Sequence, residues 1–296
     1  MSDFARQIAR LLALLLFLLA TVPLRASNGQ DILVDTDWLR QHLHDDKLRI
    51  VDTRERPVYL KGHIPGAVNI PAQETFNPAP PRDRVANLHH IRQVFRRAGI
   101  NSGQTVVIYG DSGYIDAGRV FWVFEVYGHK QVKFLDGGFP AWRQQQHPVS
   151  TQVPEVEPGN YIPAVEPERL TTLLDMRLAL EDDSKFILDA RTTEEYLGKK
   201  SKARRFGHIP KATSIPAVQN FVKRNGVQML KPREEVARLY AAVPKDRKVY
   251  AYCNRGKESS LTYTLLRQLG YDVAHYDGSW YEWGNDENLP IVKPQP

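Results

Sequence analysis

One cysteine in 296 residues, Cys253, is too few for any disulfide within the chain. The fold must therefore rest on packing alone, and a chain of this length with 42% hydrophobic residues has enough material for two cores of ordinary size. A tail of one charge sign is also missing: 40 Lys and Arg against 34 Asp and Glu leave a formal +6, spread through the sequence in mixed company. No basic patch with interleaved aromatics stands out, so no nucleic-acid partner is expected, whereas small anionic substrates suit the balance. The pair His89-His90 has no Cys, Asp or Glu at ligand spacing and reads as exposed surface, so neither a metal nor another cofactor is implied.

The apolar run at 11–19 is too short to cross a bilayer comfortably, since about 20 residues are needed. Arg6 and Arg10 precede it, Pro23 breaks it, and Ala26-Ser27 offers a small-residue exit, which together predict a signal peptide over residues 1–26. Leu24 is a poor residue for such an exit, and an uncleaved anchor is the competing reading. The expected location is periplasmic or secreted, with a soluble, monomeric mature chain and no stable membrane association. A free thiol in an oxidising space is a liability unless it is used. The alternative is a small buried hydrophobe, common for unpaired cysteine.

The chain is one unit written twice. IVDTRERPVYLKGHIPGAVNIP (50–71) returns as ILDARTTEEYLGKKSKARRFGHIPKATSIP (187–216) with eight extra residues before GHIP. Residues 106–144 likewise return as 248–286. Short β-branched and aromatic runs alternate with segments of helical period such as 259–269, predicting two tandem α/β domains, each a mostly parallel sheet flanked by helices on both faces. A Pro- and Glu-rich stretch without apolar period separates them, giving domains at 31–150 and 165–293 with a linker at 151–164.

The run 248–252 leads straight into Cys253-Asn254-Arg255-Gly256-Lys257-Glu258, and Ser259 opens the next helical pattern. Backbone N–H groups of such a strand-loop-helix turn form an anion cradle ahead of a helix dipole, and with Arg255 and Lys257 alongside a cysteine there is expected as a thiolate. His63 and His208 occupy both GHIP copies, as Asp52 and Asp189 occupy both strand ends, so they are assigned to the fold. The run KKSKARR (199–205) is read as a solvated loop that helps draw in anions.

The repeat, the two GHIP segments, LDAR (188–191), CNRGKES (253–259) and YDGSWYEW (276–283) together resemble the tandem-domain rhodaneses, the thiosulfate and 3-mercaptopyruvate sulfurtransferases, over about residues 31–293. The resemblance implies an inactive first domain, a catalytic second one and a site between them. It implies that Cys253 carries sulfur as a persulfide from an anionic donor to a thiophilic acceptor such as cyanide or a thiol. Asp111 is taken as the first-domain residue matching Cys253, and it has no thiol. Arg191 is implied as the clamp for the donor's anionic end, with a structural ion pair as the competing reading. Asn254, Arg255, Gly256 and Lys257 are implied as the donor-binding loop, and Trp38 as the wall contributed by the first domain.

Asn254 and Glu258 depart from the family pattern. Arg191, Arg255 and Lys257 supply three cations, which favours thiosulfate over the singly charged 3-mercaptopyruvate. A rhodanese-like phosphatase would need Cys-x5-Arg, and the sixth residue after Cys253 is Ser259. A non-enzymatic persulfide carrier serving a protein partner remains the rival from another class.

Overall fold

The computed structural model describes residues 31–81, 83–111 and 114–293, so the signal-peptide expectation at 1–26 lies outside them. The first domain contributes strands β1 (Leu33–Val34), β2 (Leu48–Asp52), β3 (Val68–Asn69), β4 (Thr105–Tyr109) and β5 (Val132–Leu135). These form one sheet in the order β1-β5-β4-β2-β3. In the second domain β6 (Leu170–Thr171), β7 (Lys185–Asp189), β8 (Thr213–Ser214), β11 (Lys248–Tyr252) and β12 (Val273–Tyr276) repeat that order as β6-β12-β11-β7-β8. Every pairing in both sheets is parallel. Central strands covered on both faces must be apolar throughout, and β4 and β11 each bury their last four residues.

One feature is more developed in the second domain. β9 (Phe221–Arg224) and β10 (Val227–Leu230) form an antiparallel hairpin where the first domain has the single antiparallel bridge Phe76–Val85 among the described residues. It reaches the first domain, where the Tyr114 hydroxyl donates to the Gln228 carbonyl and the Leu230 N–H donates to Asp136.

Ten α-helices complete the described fold: α1 (Thr36–Gln41), α2 (Arg56–Tyr59), α3 (Leu88–Arg97), α4 (Ile115–Val126), α5 (Gly138–Gln144), α6 (Leu173–Leu178), α7 (Thr193–Tyr196), α8 (Arg233–Leu239), α9 (Glu258–Gln268) and α10 (Ser279–Trp283). α4 and α9 are buried on nearly every face, as helices sandwiched between two sheets must be. They pack on each other across the pseudo-twofold, and a Cβ on Gly118 would stand 2.9 Å from the Leu261 nitrogen, so only glycine permits that approach. One hydrophobic cluster accordingly runs through both domains, while two smaller ones cover the outer faces of the sheets.

Residues 151–166 hold no helix or strand, yet they are strapped to the first domain. Gly159 N–H donates to Arg96, Tyr161 N–H to Ile100 and Ala164 N–H to Tyr127.

Candidate functional site at the end of the second sheet

Strand register fixes which residues correspond between the domains. Asp52 pairs with Tyr109 as Asp189 pairs with Tyr252. The Phe139 N–H then donates to the Gly110 carbonyl as the Trp280 N–H donates to that of Cys253. The first-domain counterpart of Cys253 is thus Gly110, and Asp111 corresponds to Asn254. The repeat had been aligned one residue out of register, because the strand lengths that fix it are visible only in the sheet. Either residue leaves the first domain without a thiol.

Cys253 leaves β11 beneath the N-terminus of α9 and is wholly buried. Burial is the largest influence on its thiol and pushes the pKa up to about 12, with the Glu258 carboxylate beside the sulfur adding to the rise. The polar groups of Ser259, in the first turn of α9, work in the opposite direction. This corrects the expectation of a standing thiolate. The two basic loop residues do not offset the burial: Arg255 is exposed, its guanidinium 3.9 Å above the Tyr281 ring, and the Lys257 ammonium lies 3.3 Å from Asp116.

The cradle is also partly filled from within. Ser279 Oγ accepts from the N–H of Cys253 (3.2 Å) and of Gly256 (3.1 Å), donates to the Tyr276 carbonyl, and stands 4.0 Å from the Cys253 sulfur. Ser279 holds φ +52, a left-handed conformation that costs a non-glycine residue about 1–2 kcal/mol. Its twin Gly138 has the same φ without that cost, so the hydroxyl is what the strain retains. Gly256, at φ +66, turns the loop; a Cβ there would stand 2.6 Å from an Asp277 carboxylate oxygen. Beneath it lies Arg119 of α4, wholly buried and ion-paired with Asp277, with Nη1 3.3 Å from the Gly256 carbonyl. The loop therefore rests on an ion pair made between the domains.

Beside the loop opens a cavity of about 440 Å³ lined by Arg191, Asn254 and Glu258, by Lys200, Lys202, Glu194 and Glu195, and by Ile115, Ala217, Val218, Phe221 and Leu261. Arg191 is held bidentately by Asp189 and donates to the Gly207 carbonyl, as Arg54 is held by Asp52 and Gly62 in the first domain. The ion-pair reading of Arg191 is thus correct as far as it goes. The domains then diverge. Arg54 Nη1 faces the Asp111 carboxylate at 3.9 Å, whereas Arg191 Nη1 is buried without a hydrogen-bond partner and the residue corresponding to Asp111 is the neutral Asn254. Asn254 itself donates to Glu195 at 3.0 Å.

Trp38 does not reach this cavity. It sits on α1, stacked on His42 and packed against the cluster on the outer face of the first sheet, with the Lys133 ammonium 5.5 Å from its ring. The first domain's contributions near the loop include Arg119, Ile115, Asp116 and Phe76, none singled out from sequence. Ser279 and Asp277 were missed as well. Ser279 could have been suspected from the repeat, where DGS replaces DGG; the Arg119–Asp277 pair joins residues 158 apart and left no local signal.

A family model described as a rhodanese-like domain matches twice, over residues 35–145 and 172–286. The sulfur carrier protein TtuD of Thermus thermophilus is 34% identical over 280 residues, spanning 89% of this chain and 97% of that protein. A putative thiosulfate sulfurtransferase SseA of Mycobacterium tuberculosis is 36% identical over 273 residues, spanning 88% and 90%. The crystal structure of the 3-mercaptopyruvate sulfotransferase SseA of Escherichia coli superposes with a TM-score of 0.74 at 26% identity, over 84% of this chain and 98% of that one.

Proposed function

Since this chain belongs to the rhodanese family and is a sulfurtransferase, we propose that it moves a sulfane sulfur from thiosulfate to a thiophilic acceptor through a persulfide on Cys253. The observation that carries this reading is the placement of the chain's one thiol at the strand-loop-helix turn whose residues Asn254 and Glu258 line a cavity together with Arg191.

In the first half-reaction the Cys253 thiolate attacks the outer sulfur of thiosulfate. The new S–S bond forms as the old one breaks, and sulfite leaves with the bonding pair. In the second, the acceptor takes the terminal sulfur and the thiolate returns; with cyanide the product is thiocyanate. The thiol must first lose its proton, and the nearby Glu258 carboxylate, which lines the cavity, can receive it. Ser279 fixes the loop by accepting from its Cys253 and Gly256 amides, and Arg191 holds the donor's anionic end, a task its twin cannot perform because Asp111 faces Arg54. The cations that support thiosulfate are Arg191, Lys200 and Lys202, which line the cavity, instead of Arg255 and Lys257.

One observation favours 3-mercaptopyruvate instead: Glu194, Glu195 and Glu258 share the cavity with those cations, and an organic donor with a single carboxylate suits its apolar wall. The naming of one relative as a sulfur carrier supports a third reading, delivery to a protein partner. The segment 1–26 supports export to the periplasm or beyond.

Protein incubated with donor and no acceptor should gain the mass of one sulfur on Cys253 by intact mass spectrometry, and Cys253→Ser should not. Steady-state turnover with cyanide then ranks the donors. Wild-type transfer by Cys253→Ser would overturn the mechanism, and faster turnover with 3-mercaptopyruvate would overturn the choice of donor.

A further inference from the structure

Around the mouth of the cavity stand four cations that the mechanism above does not use. The inserted run 199–205 supplies Lys200 and Lys202 to the cavity wall, and its Lys199 and Arg204 stay outside. The β9–β10 hairpin supplies Phe221 and Gln228 to the wall, and its Lys223 and Arg224 stay outside. Register fixes the side on which Lys223 lies: it pairs with Gln228 and stands two residues from Phe221, so it shares their face of the hairpin, the one turned to the cavity. All four cations are exposed and none has a salt-bridge partner among the described residues, whereas Lys200 beside them is neutralised by Glu194 at 2.6 Å.

Most carboxylates nearby are already engaged. Glu195 accepts from Asn254 and from Thr192, at the start of its own helix. Arg84 holds both Asp83 and Glu282. Glu258 lies in the cavity wall, where the mechanism uses it. That leaves Asp286 as the acid beside Lys202 and Arg204 without a basic partner among the described residues, too little to cancel the rim.

A small anion inside the cavity cannot touch Lys199, Arg204, Lys223 or Arg224, since none of them lines it. A ligand that uses them must extend past the mouth on two sides. Val218, which lines the cavity and is 68% exposed, offers an apolar contact at the same opening. An apolar centre inside a charged rim is the composition of a protein–protein contact. Both carriers of the charge are also more developed in the domain with the thiol: the first domain lacks the inserted residues and has the single bridge Phe76–Val85 where the hairpin stands.

We propose that this mouth is the docking surface for a protein acceptor whose receiving thiol is surrounded by acidic side chains. The partner's thiolate attacks the terminal sulfur of the Cys253 persulfide, a new S–S bond forms on the partner, and the old bond's electron pair returns to Cys253 as thiolate. Opposite charge steers the encounter, and salt weakens it. The proposal rests on Cys253 carrying the sulfur and adds what kind of molecule receives it.

The test uses protein loaded with persulfide by whichever donor loads it, then freed of donor. Five-residue peptides with a central cysteine flanked by acids, by the corresponding amides or by lysines serve as acceptors. Intact mass follows the loss of one sulfur from Cys253, and each rate is normalised to the peptide's own rate with iodoacetamide. At low salt the acidic peptide should accept at least about tenfold faster than the amide peptide and the lysine peptide more slowly still, with the gap closing at about 0.5 M salt. The fourfold variant Lys199→Glu, Arg204→Glu, Lys223→Glu and Arg224→Glu alters exposed side chains only; it should reverse that order and leave transfer to the neutral thiol β-mercaptoethanol unchanged. Equal rates for the three peptides, or an acidic preference that the variant keeps, would overturn the proposal. Tight binding of a fluorescent single-stranded RNA at about 0.15 M salt, lost in the variant, would assign the surface to nucleic acid and overturn the choice of partner. If no persulfide forms, the sulfurtransfer reading fails, and fluorescence anisotropy with the acidic peptide carrying serine for cysteine still decides the surface: tighter binding by the wild type than by the variant supports it, and equal binding refutes it.

Discussion

Arg119→Met tests whether the sulfur-carrying loop depends on the contact between domains. The arginine is wholly buried, pairs with an Asp277 that is 3% exposed, supports the Gly256 carbonyl, and lies 4.2 Å and 4.6 Å from the Phe76 and Trp122 rings. Methionine fills much of the same space but leaves the Asp277 carboxylate buried with the Val85 N–H as its other bond. Removing one partner of a buried pair costs about 3–5 kcal/mol, mostly the penalty of the stranded charge. At about 2–4 °C per kcal/mol for a unit of this size, the melting midpoint should fall by about 6–20 °C. Asp277→Asn in the same chain removes the stranded charge, so the double variant should lose less than the sum of the singles. Circular dichroism melts of the four proteins measure the coupling, and turnover on the folded fraction measures the loop. A single-variant loss below about 1 kcal/mol, or strictly additive losses, would refute the claim that this pair anchors the loop.

Gly256→Ala should impair turnover at least about tenfold while the protein still folds, since a Cβ would meet Asp277 at 2.6 Å and 2.8 Å and the residue must keep φ +66; kinetics at wild-type level would show that the loop tolerates displacement. His129 offers a test by pH: both ring nitrogens are buried without partners, and burial pushes its pKa down to about 4 from about 6.5. Its stabilising effect is therefore complete above pH 6.5 and lost as pH falls from 6.5 to 4, up to about 3 kcal/mol. His129→Phe should narrow the gap between the melting midpoints at pH 7 and pH 4, and an unchanged gap would mean that the acid sensitivity lies elsewhere.

The sequence by itself determined that there are two α/β domains and where the single thiol falls, because both follow from local pattern: strand runs, helical period, and a loop between them repeated at a fixed offset. Arg191 was singled out by the resemblance of LDAR to the family pattern, and its repetition as Arg54 in VDTR fits the ion pair that both domains share. Tertiary structure alone decided the chemistry around the sulfur. The expectation of a thiolate came from counting Arg255 and Lys257 in the loop, but charge acts through distance and solvent, and both side chains turn away while the sulfur is buried. Trp38 was placed by analogy of sequence, and the sheet put it on the opposite face. Arg119 with Asp277 and Ser259 with His275 are pairs whose members lie on different elements, brought together only when two sheets with the same strand order pack through α4 and α9. No local pattern encodes such a pairing, because each residue's partner is chosen by the register of strands far away in the chain.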